Sequence, residues 1–371
     1  MKITNIEYSK LKVPLIKPFK TALRTVNEME DVVVILETDT GHRGYGSAPA
    51  TAVITGETHG SIIEAIRTTM APRILNEDVA DINRVVHLIQ SAIVGNFSAK
   101  AAVEVALYDL WAQSYNTPLY KLLGGGEPTL STDITISVDY IDRMVDDAQA
   151  AVDLGFEALK IKVGKDLALD IERVKAIYAA VSDRALIRLD ANQGWTPKQT
   201  VSALRELEAS GVVLEFIEQP VKGDDIDGMK YVTERVTTSV MADESTFGPR
   251  EVIDLIKMRG ADIINIKLMK TGGISNAIKI ADISETYDVE CMIGCMLETS
   301  IGVSAAAHLA VAKAGVITRV DLDAPSLAKI NPVNGGVTFN NSEITISDAP
   351  GLGIENVDGL ARIDFKKAVG S

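Results

Sequence analysis

Two lysines, Lys160 and Lys162, sit in Ala158-Leu-Lys-Ile-Lys-Val-Gly164, a run otherwise too apolar for a surface segment. In a strand successive side chains point to opposite faces, so Leu159, Ile161 and Val163 share one face and both lysines the other. Ammonium groups on a buried face need anions, and later segments supply them: Asp190 ending LIRLD, Glu218 ending LEFIE, Asp243 ending VMAD, and Asp321 with Asp323 in VDLD. A third lysine, Lys267, ends IINIK. We read these as one polar site built from successive strand ends. Three carboxylates brought together repel unless a cation holds them, and all-oxygen ligation favours a hard ion, Mg2+ first and Mn2+ second. The competing reading pairs each carboxylate with Arg188 or a lysine inside the fold.

Lys162 and Lys267 would approach such a site from opposite sides. Their repulsion and the neighbouring cation are expected to depress their pKa values, as a lysine acting as a base near neutral pH requires. One lysine on each face of a carbon is what two-base racemisation needs. General base catalysis supplies about 3 to 5 kcal/mol. Removing a proton beside a carboxylate builds a second negative charge, and the cation, with Lys160 as a further positive group, would stabilise it electrostatically.

These groups must be held by repeated elements. From Thr132 the pattern alternates between strand and helix, with strand ends near Ser137, Lys162, Asp190, Glu218, Asp243, Lys267, Glu298 and Asp323. The spacing is roughly 25 to 30 residues, one strand-plus-helix unit. Eight such ends predict a parallel barrel with functional groups at the carboxyl ends of its strands; a doubly wound sheet would not converge them on one centre. Amphipathic helices fit between, with Met144, Val145, Ala148 and Val152 before Gly155, Val201, Leu204 and Leu207 before Gly211, and Pro249 opening a helix closed at Gly260.

Ahead of this region lie a strand over Ile3 to Val13, a basic loop from Lys17 to Thr25, and a strand over Val32 to Glu37 that turns at Asp39-Thr-Gly41 and returns through Gly44-Tyr-Gly46. A helix is expected from Ser98, as N-cap, with Pro118 beyond its end. Gly124 to Gly126 form the passage onward; a phosphate cradle there lacks the following Lys-Ser/Thr. Beyond Pro332, strand-like pieces at 336–340 and 344–347 suggest a tail that packs back on the first domain. The expected division is 1–126 as an α+β cap, 127–330 as the barrel, and 331–371 as the returning segment.

Composition narrows the function classes. Asp and Glu outnumber Lys and Arg by 51 to 37, a net charge of -14, and no basic cluster interrupts it. Nucleic acid and anionic membranes are therefore poor partners. The N-terminal residues lack a signal-peptide core and no apolar run approaches membrane-spanning length, which predicts a cytosolic protein. The two cysteines, Cys291 and Cys295, lack companions for a metal site and read as reduced packing thiols. With four His in the chain, a His-based triad is not expected.

The motifs Lys160-Ile-Lys162, Asp190-Ala-Asn192, Glu218-Gln-Pro220, Asp243-Glu-Ser245 and Lys267 in NIKLMKTGG together resemble the enolase superfamily in its muconate-lactonizing-enzyme subgroup, over essentially the whole chain. The resemblance implies an α/β fold, a modified TIM barrel (β/α)7β capped by an α+β domain from both termini. It implies Asp190, Glu218 and Asp243 as Mg2+ ligands, Lys162 and Lys267 as acid/base residues on opposite faces, and Lys160 as the enolate's stabiliser. Asp321-Leu-Asp323 resembles the pair with which dipeptide epimerases bind a substrate's α-ammonium, and Arg24 resembles a lid arginine for a glutamate side chain. The expected activity is inversion of the C-terminal α-carbon of an L,L-dipeptide such as L-Ala-L-Glu. A cycloisomerase or o-succinylbenzoate synthase is the alternative, and a non-catalytic peptide-binding barrel a remote one. Glu298 is assigned to the pocket wall or to a hydrogen bond with Lys267. Ser47, Cys295 and Ser300 depart from the family's common pattern, and assembly into a homo-oligomer is implied by resemblance alone.

Overall fold

The computed structural model of the chain describes residues 1–365. Its first sheet is an antiparallel meander of β1 (Ile3–Lys20), β2 (Thr25–Thr38) and β3 (Arg43–Pro49). The predicted basic loop is largely strand. After a register shift beyond Pro14, β1 and β2 pair again at Phe19 with Val26 and Lys20 with Thr25, leaving a tight tip at 21–24. Thr21 closes that tip, its hydroxyl accepting from the Leu23 and Arg24 amides.

β3 lies against the buried helix Phe97–Ser114. A Cβ on Gly46 would stand 1.8 Å from the Ala102 carbonyl oxygen, and one on Gly44 2.2 Å from that of Ala106. Backbone on both sides leaves nothing to yield. We expect Gly46→Ala to destabilise the protein by about 3 kcal/mol or more, read as a fall in thermal midpoint. The helix starts at Phe97 rather than with Ser98 as its cap. Asn96 occupies the N-cap in a left-handed conformation, and the Glu57 carboxylate accepts from the Ser98 and Ala99 amides.

β4 (Thr129–Ser131) leads into eight parallel strands: β5 (Ile134–Ile136), β6 (Ala158–Lys162), β7 (Leu186–Asp190), β8 (Phe216–Glu218), β9 (Ser239–Ala242), β10 (Ile263–Lys267), β11 (Glu290–Gly294) and β12 (Ile317–Asp321). They neighbour one another in sequence order, with helices in the connections, which is the barrel and excludes the doubly wound sheet. The seam between β5 and β12 carries no strand ladder. It is spanned by Asp133 N–H to the Val320 carbonyl at 3.2 Å, Leu322 N–H to the Thr132 hydroxyl, and Thr135 N–H to the Asp323 carboxylate. The chain then forms β13 (Val333–Gly335), β14 (Val337–Asn340), β15 (Glu343–Ile346), β16 (Ile354–Val357) and β17 (Ala361–Arg362). β15 pairs with β4, and β17 returns to the first sheet beside β1. No helix among the described residues is long and apolar enough to cross a membrane.

Buried polar ties fix the first sheet and its helix to the barrel. Asp31 on β2 accepts from the Thr299 amide and hydroxyl, and Glu104 accepts from the Ser275 amide and hydroxyl. His308, in the barrel helix Ser300–Ala312, accepts from the Tyr120 amide through Nδ1. Burial lowers its pKa from 6.5 to about 3. The unfolded chain therefore takes up a proton that the folded one refuses. This histidine's stabilisation is complete above pH 6.5 and is lost as pH falls toward 3. His308→Asn keeps an acceptor for Tyr120; the variant should melt below the wild type at pH 7, with the gap between their midpoints narrowing as pH falls from 6.5 to 4.

Candidate active site

Alternation along the barrel strands aims Lys160 and Lys162 (β6), Arg188 and Asp190 (β7), Glu218 (β8), Asn265 and Lys267 (β10) and Asp321 (β12) inward, all of them buried. Asp243 follows the end of β9. The interior below is filled by a separate apolar cluster of Phe216, Met241, Ile263 and Met292. Arg188 belongs to that lower level. Its guanidinium donates to Asp133 and Glu215 and lies 5.4 Å from the Phe216 ring centroid, so it is not the partner of the mouth carboxylates.

The lysines are those partners. Lys162 is ion-paired with Asp190, and Lys160 with Asp321. Lys267 lies 2.7 Å from Asp243 and 3.8 Å from Glu218. Lys270, in the turn after β10 and fully buried, also pairs with Asp243. The expected depression of the lysine pKa values, which counts on a cation beside the lysine, is opposed at Lys267 by its carboxylate neighbours. Burial lowers the Lys267 pKa, but the Asp243 and Glu218 carboxylates outweigh that and leave it raised; Lys160 is raised in the same way by Asp321 and Glu218. Two carboxylates beside an ammonium decide its titration more strongly than another ammonium across the site. Asp243 is held low against burial by Lys267 and Lys270, whereas burial and the Asp190 charge push Glu218 up to about 7.

Among the described residues no three carboxylates converge closely enough, as the side chains lie, to hold an ion. Asp190 and Asp243 are turned onto lysines that compete for the same oxygens. In kind, the donor set fits a hard divalent cation: it is anionic and all oxygen, and Glu218 Oε2 and Asn192 Oδ1 are buried without hydrogen-bond partners among the described residues. The backbone beside these groups is strained, with φ of 41° at Asn192, 67° at Gln193 and 33° at Gln219.

A cavity opens on this cluster, and its walls include Lys160, Lys162, Lys267, Asp321 and Asp323. The β1–β2 tip covers it with Phe19 and Arg24. Lys20 ties the tip to the barrel, its ammonium 2.7 Å from Asp139 and its carbonyl accepting from the Val138 amide. Arg24 has no ion pair or side-chain hydrogen bond among the described residues, and burial lowers its pKa. Asp321 and Asp323 do not share a strand face, because β12 ends at Asp321 and Asp323 caps a short 3-10 turn. The cavity nevertheless receives both. Glu298 is not in the cavity wall and makes no hydrogen bond to Lys267. It accepts from the Met296 amide, and burial and the Asp31 charge push it up to about 8. Cys295 lines the cavity, while Ser47 is buried on β3 and Ser300 bonds to Asn331.

Three supporting residues escaped sequence reasoning. Asn265 donates to Glu218 at 2.6 Å, Lys270 donates to the Asp243 and Asn265 carbonyls, and Gln219 accepts from the Asp243 and Ser245 amides. Asn265 carried a legible signal, since it lies two before Lys267 on the same strand face.

Residues 4–124 match the family described as mandelate racemase/muconate lactonizing enzyme, N-terminal domain, and residues 143–358 match the enolase C-terminal domain-like family. The L-Ala-D/L-Glu epimerase of Clostridium acetobutylicum is 50% identical over 358 residues, 96% of this chain and 100% of that protein. The substrate-liganded L-Ala-D/L-Glu epimerase of Bacillus subtilis superposes with a TM-score of 0.94 at 50% identity, covering 96% of this chain and 99% of that one. The dipeptide epimerase of Enterococcus faecalis, complexed with Mg and L-Leu-L-Tyr, gives 0.92 at 43% identity over 96% and 100%.

Proposed function

The chain belongs to the mandelate racemase/muconate lactonizing enzyme family of the enolase superfamily, and from that premise we propose that it is an isomerase, a Mg2+-dependent dipeptide epimerase inverting the C-terminal α-carbon of L-Ala-L-Glu. The observation that carries this reading is one cavity whose walls hold Asp321, Asp323, Lys162, Lys267 and an Arg24 that has no ion pair or side-chain hydrogen bond among the described residues. That charge pattern suits a dipeptide with a free α-ammonium and an acidic side chain. A cycloisomerase substrate would bring no cation to Asp323, which, unlike Asp321 with its Lys160, has no ion pair among the described residues.

In this reading Asp321 and Asp323 hold the ammonium and Arg24 the side-chain carboxylate, which fixes the α-carbon between Lys162 and Lys267. One lysine removes the α-proton and the other delivers a proton to the opposite face. Lys160 brings a positive charge to the carboxylate side of the enolate. Magnesium, held by Asp190, Glu218 and Asp243, would supply the remaining positive charge for that carboxylate. Manganese, also a hard ion, would substitute for it. Residues 1–126 and 331–371 would act as the cap that closes the cavity over the 127–330 barrel. A cytoplasmic location and assembly of like copies follow from the family reading.

The test is proton NMR in D2O with Mg2+, offering L-Ala-L-Glu beside hydrophobic and cationic dipeptides. Deuterium at the C-terminal α-carbon with growth of the L,D diastereomer is the expected result. Absence of exchange with every dipeptide overturns the epimerase, and turnover of muconate in its place favours the cycloisomerase.

A further inference from the structure

Glu244 follows Asp243 directly and is 7% exposed. Both of its carboxylate oxygens are buried and neither has a hydrogen-bond partner among the described residues. The other acids at the barrel mouth differ in this respect. Asp190 has Lys162, Asp321 has Lys160, and Asp243 has both Lys267 and Lys270. Glu218 accepts from Asn265 and has lysine ammonium groups at 3.8 and 4.0 Å. The charges of Asp243, Asp190, Lys267 and Glu218 all act on Glu244, which puts it in the neighbourhood of the same centre. Gly223 packs behind it, where an added Cβ would meet the Glu244 carbonyl oxygen at 2.7 Å and its Cβ at 3.2 Å.

A buried carboxylate without any donor is unfavourable unless a positive charge is brought to it. The lysines of the mouth are already committed to other acids. We propose that Glu244 is a fourth anionic member of the divalent-cation site, adding its charge to those of Asp190, Glu218 and Asp243 and raising the affinity for the ion. The inference rests on the reading of those three residues as cation ligands.

Isothermal titration of the full-length protein with MgCl2 tests it, using the wild type, Glu244→Gln and Glu244→Asp. Groups of this kind around a metal's ligands typically change affinity about 10- to 100-fold when removed. Glu244→Gln, which keeps the shape and removes the charge, should weaken Mg2+ binding at least about tenfold, and the rise in melting temperature on adding Mg2+ should shrink with it. Glu244→Asp, which keeps the charge, should remain within about threefold of wild type. Equal Mg2+ affinity in wild type and Glu244→Gln overturns the proposal, and so does an equal loss in both variants, which would make the role one of packing. A wild type that binds no Mg2+ removes the cation-site reading itself, an outcome distinct from either.

Discussion

Lys162→Ala and Lys267→Ala each lose interconversion of L-Ala-L-Glu and L-Ala-D-Glu by about a thousandfold or more, while each still exchanges the α-proton of one diastereomer, and not the same one. The asymmetry follows from the geometry. The two ammonium groups come from β6 and β10, separated around the barrel by β7, β8 and β9, and both line one cavity. A carbon between them meets one lysine on each face. Removing either leaves the other able to take and return a proton on its own side, which gives exchange without inversion. Lys162→Ala also removes the ammonium paired with the buried Asp190, whereas Lys267→Ala removes one of two from Asp243 and leaves Lys270. Thermal melting of the variants and the parallel variants Lys162→Arg and Lys267→Arg, which keep the charge, separate loss of fold from loss of chemistry. Full interconversion by any of them would sink the two-base reading.

Arg24→Met should lower kcat/KM for L-Ala-L-Glu by about a hundredfold, the range for truncating one partner of a desolvated charge pair. Its effect on L-Ala-L-Leu should be small or favourable, so that the order of the two substrates reverses. Arg24 has no internal anion among the described residues, so the guanidinium's binding energy is available to a ligand rather than spent on the fold. It sits on a tip tied to the barrel by Lys20, which holds the guanidinium at the cavity. An equal loss for both dipeptides would assign Arg24 to closing the cavity instead of recognising the side chain.

Much of the site could be read from period-two alternation. Lys160, Lys162, Asp190, Glu218 and Lys267 were found because charge on the inward face of an apolar strand has few explanations. Asn265 obeys the same alternation and was passed over, since an uncharged amide raises no question of compensation until its carboxylate partner is known. A strand end read near Asp323 is two residues too late, because alternation says nothing of where a strand ends; β12 stops at Asp321 and the following turn brings Asp323 back to the cavity. Ser98 has a favourable cap residue type, yet Glu57, forty-one positions earlier, holds the amides at the helix start. The direction of the Lys267 shift depends on how near two carboxylates come, a quantity that spacing along the chain does not contain.

The apolar fill of Phe216, Met241, Ile263 and Met292 beneath the lysines makes the barrel a vessel open at one end. Dipeptide entry, product exit and the renewal of hydrogens on the lysine ammonium groups share a single route past Phe19 and Arg24. In the two-base reading a hydrogen lifted from the α-carbon would join two others on one lysine Nζ, while the product would take its hydrogen from the other lysine. A label lifted from one diastereomer can then return only to that same diastereomer, so the fraction that returns measures proton return against renewal of the lysine hydrogens from water through that one opening.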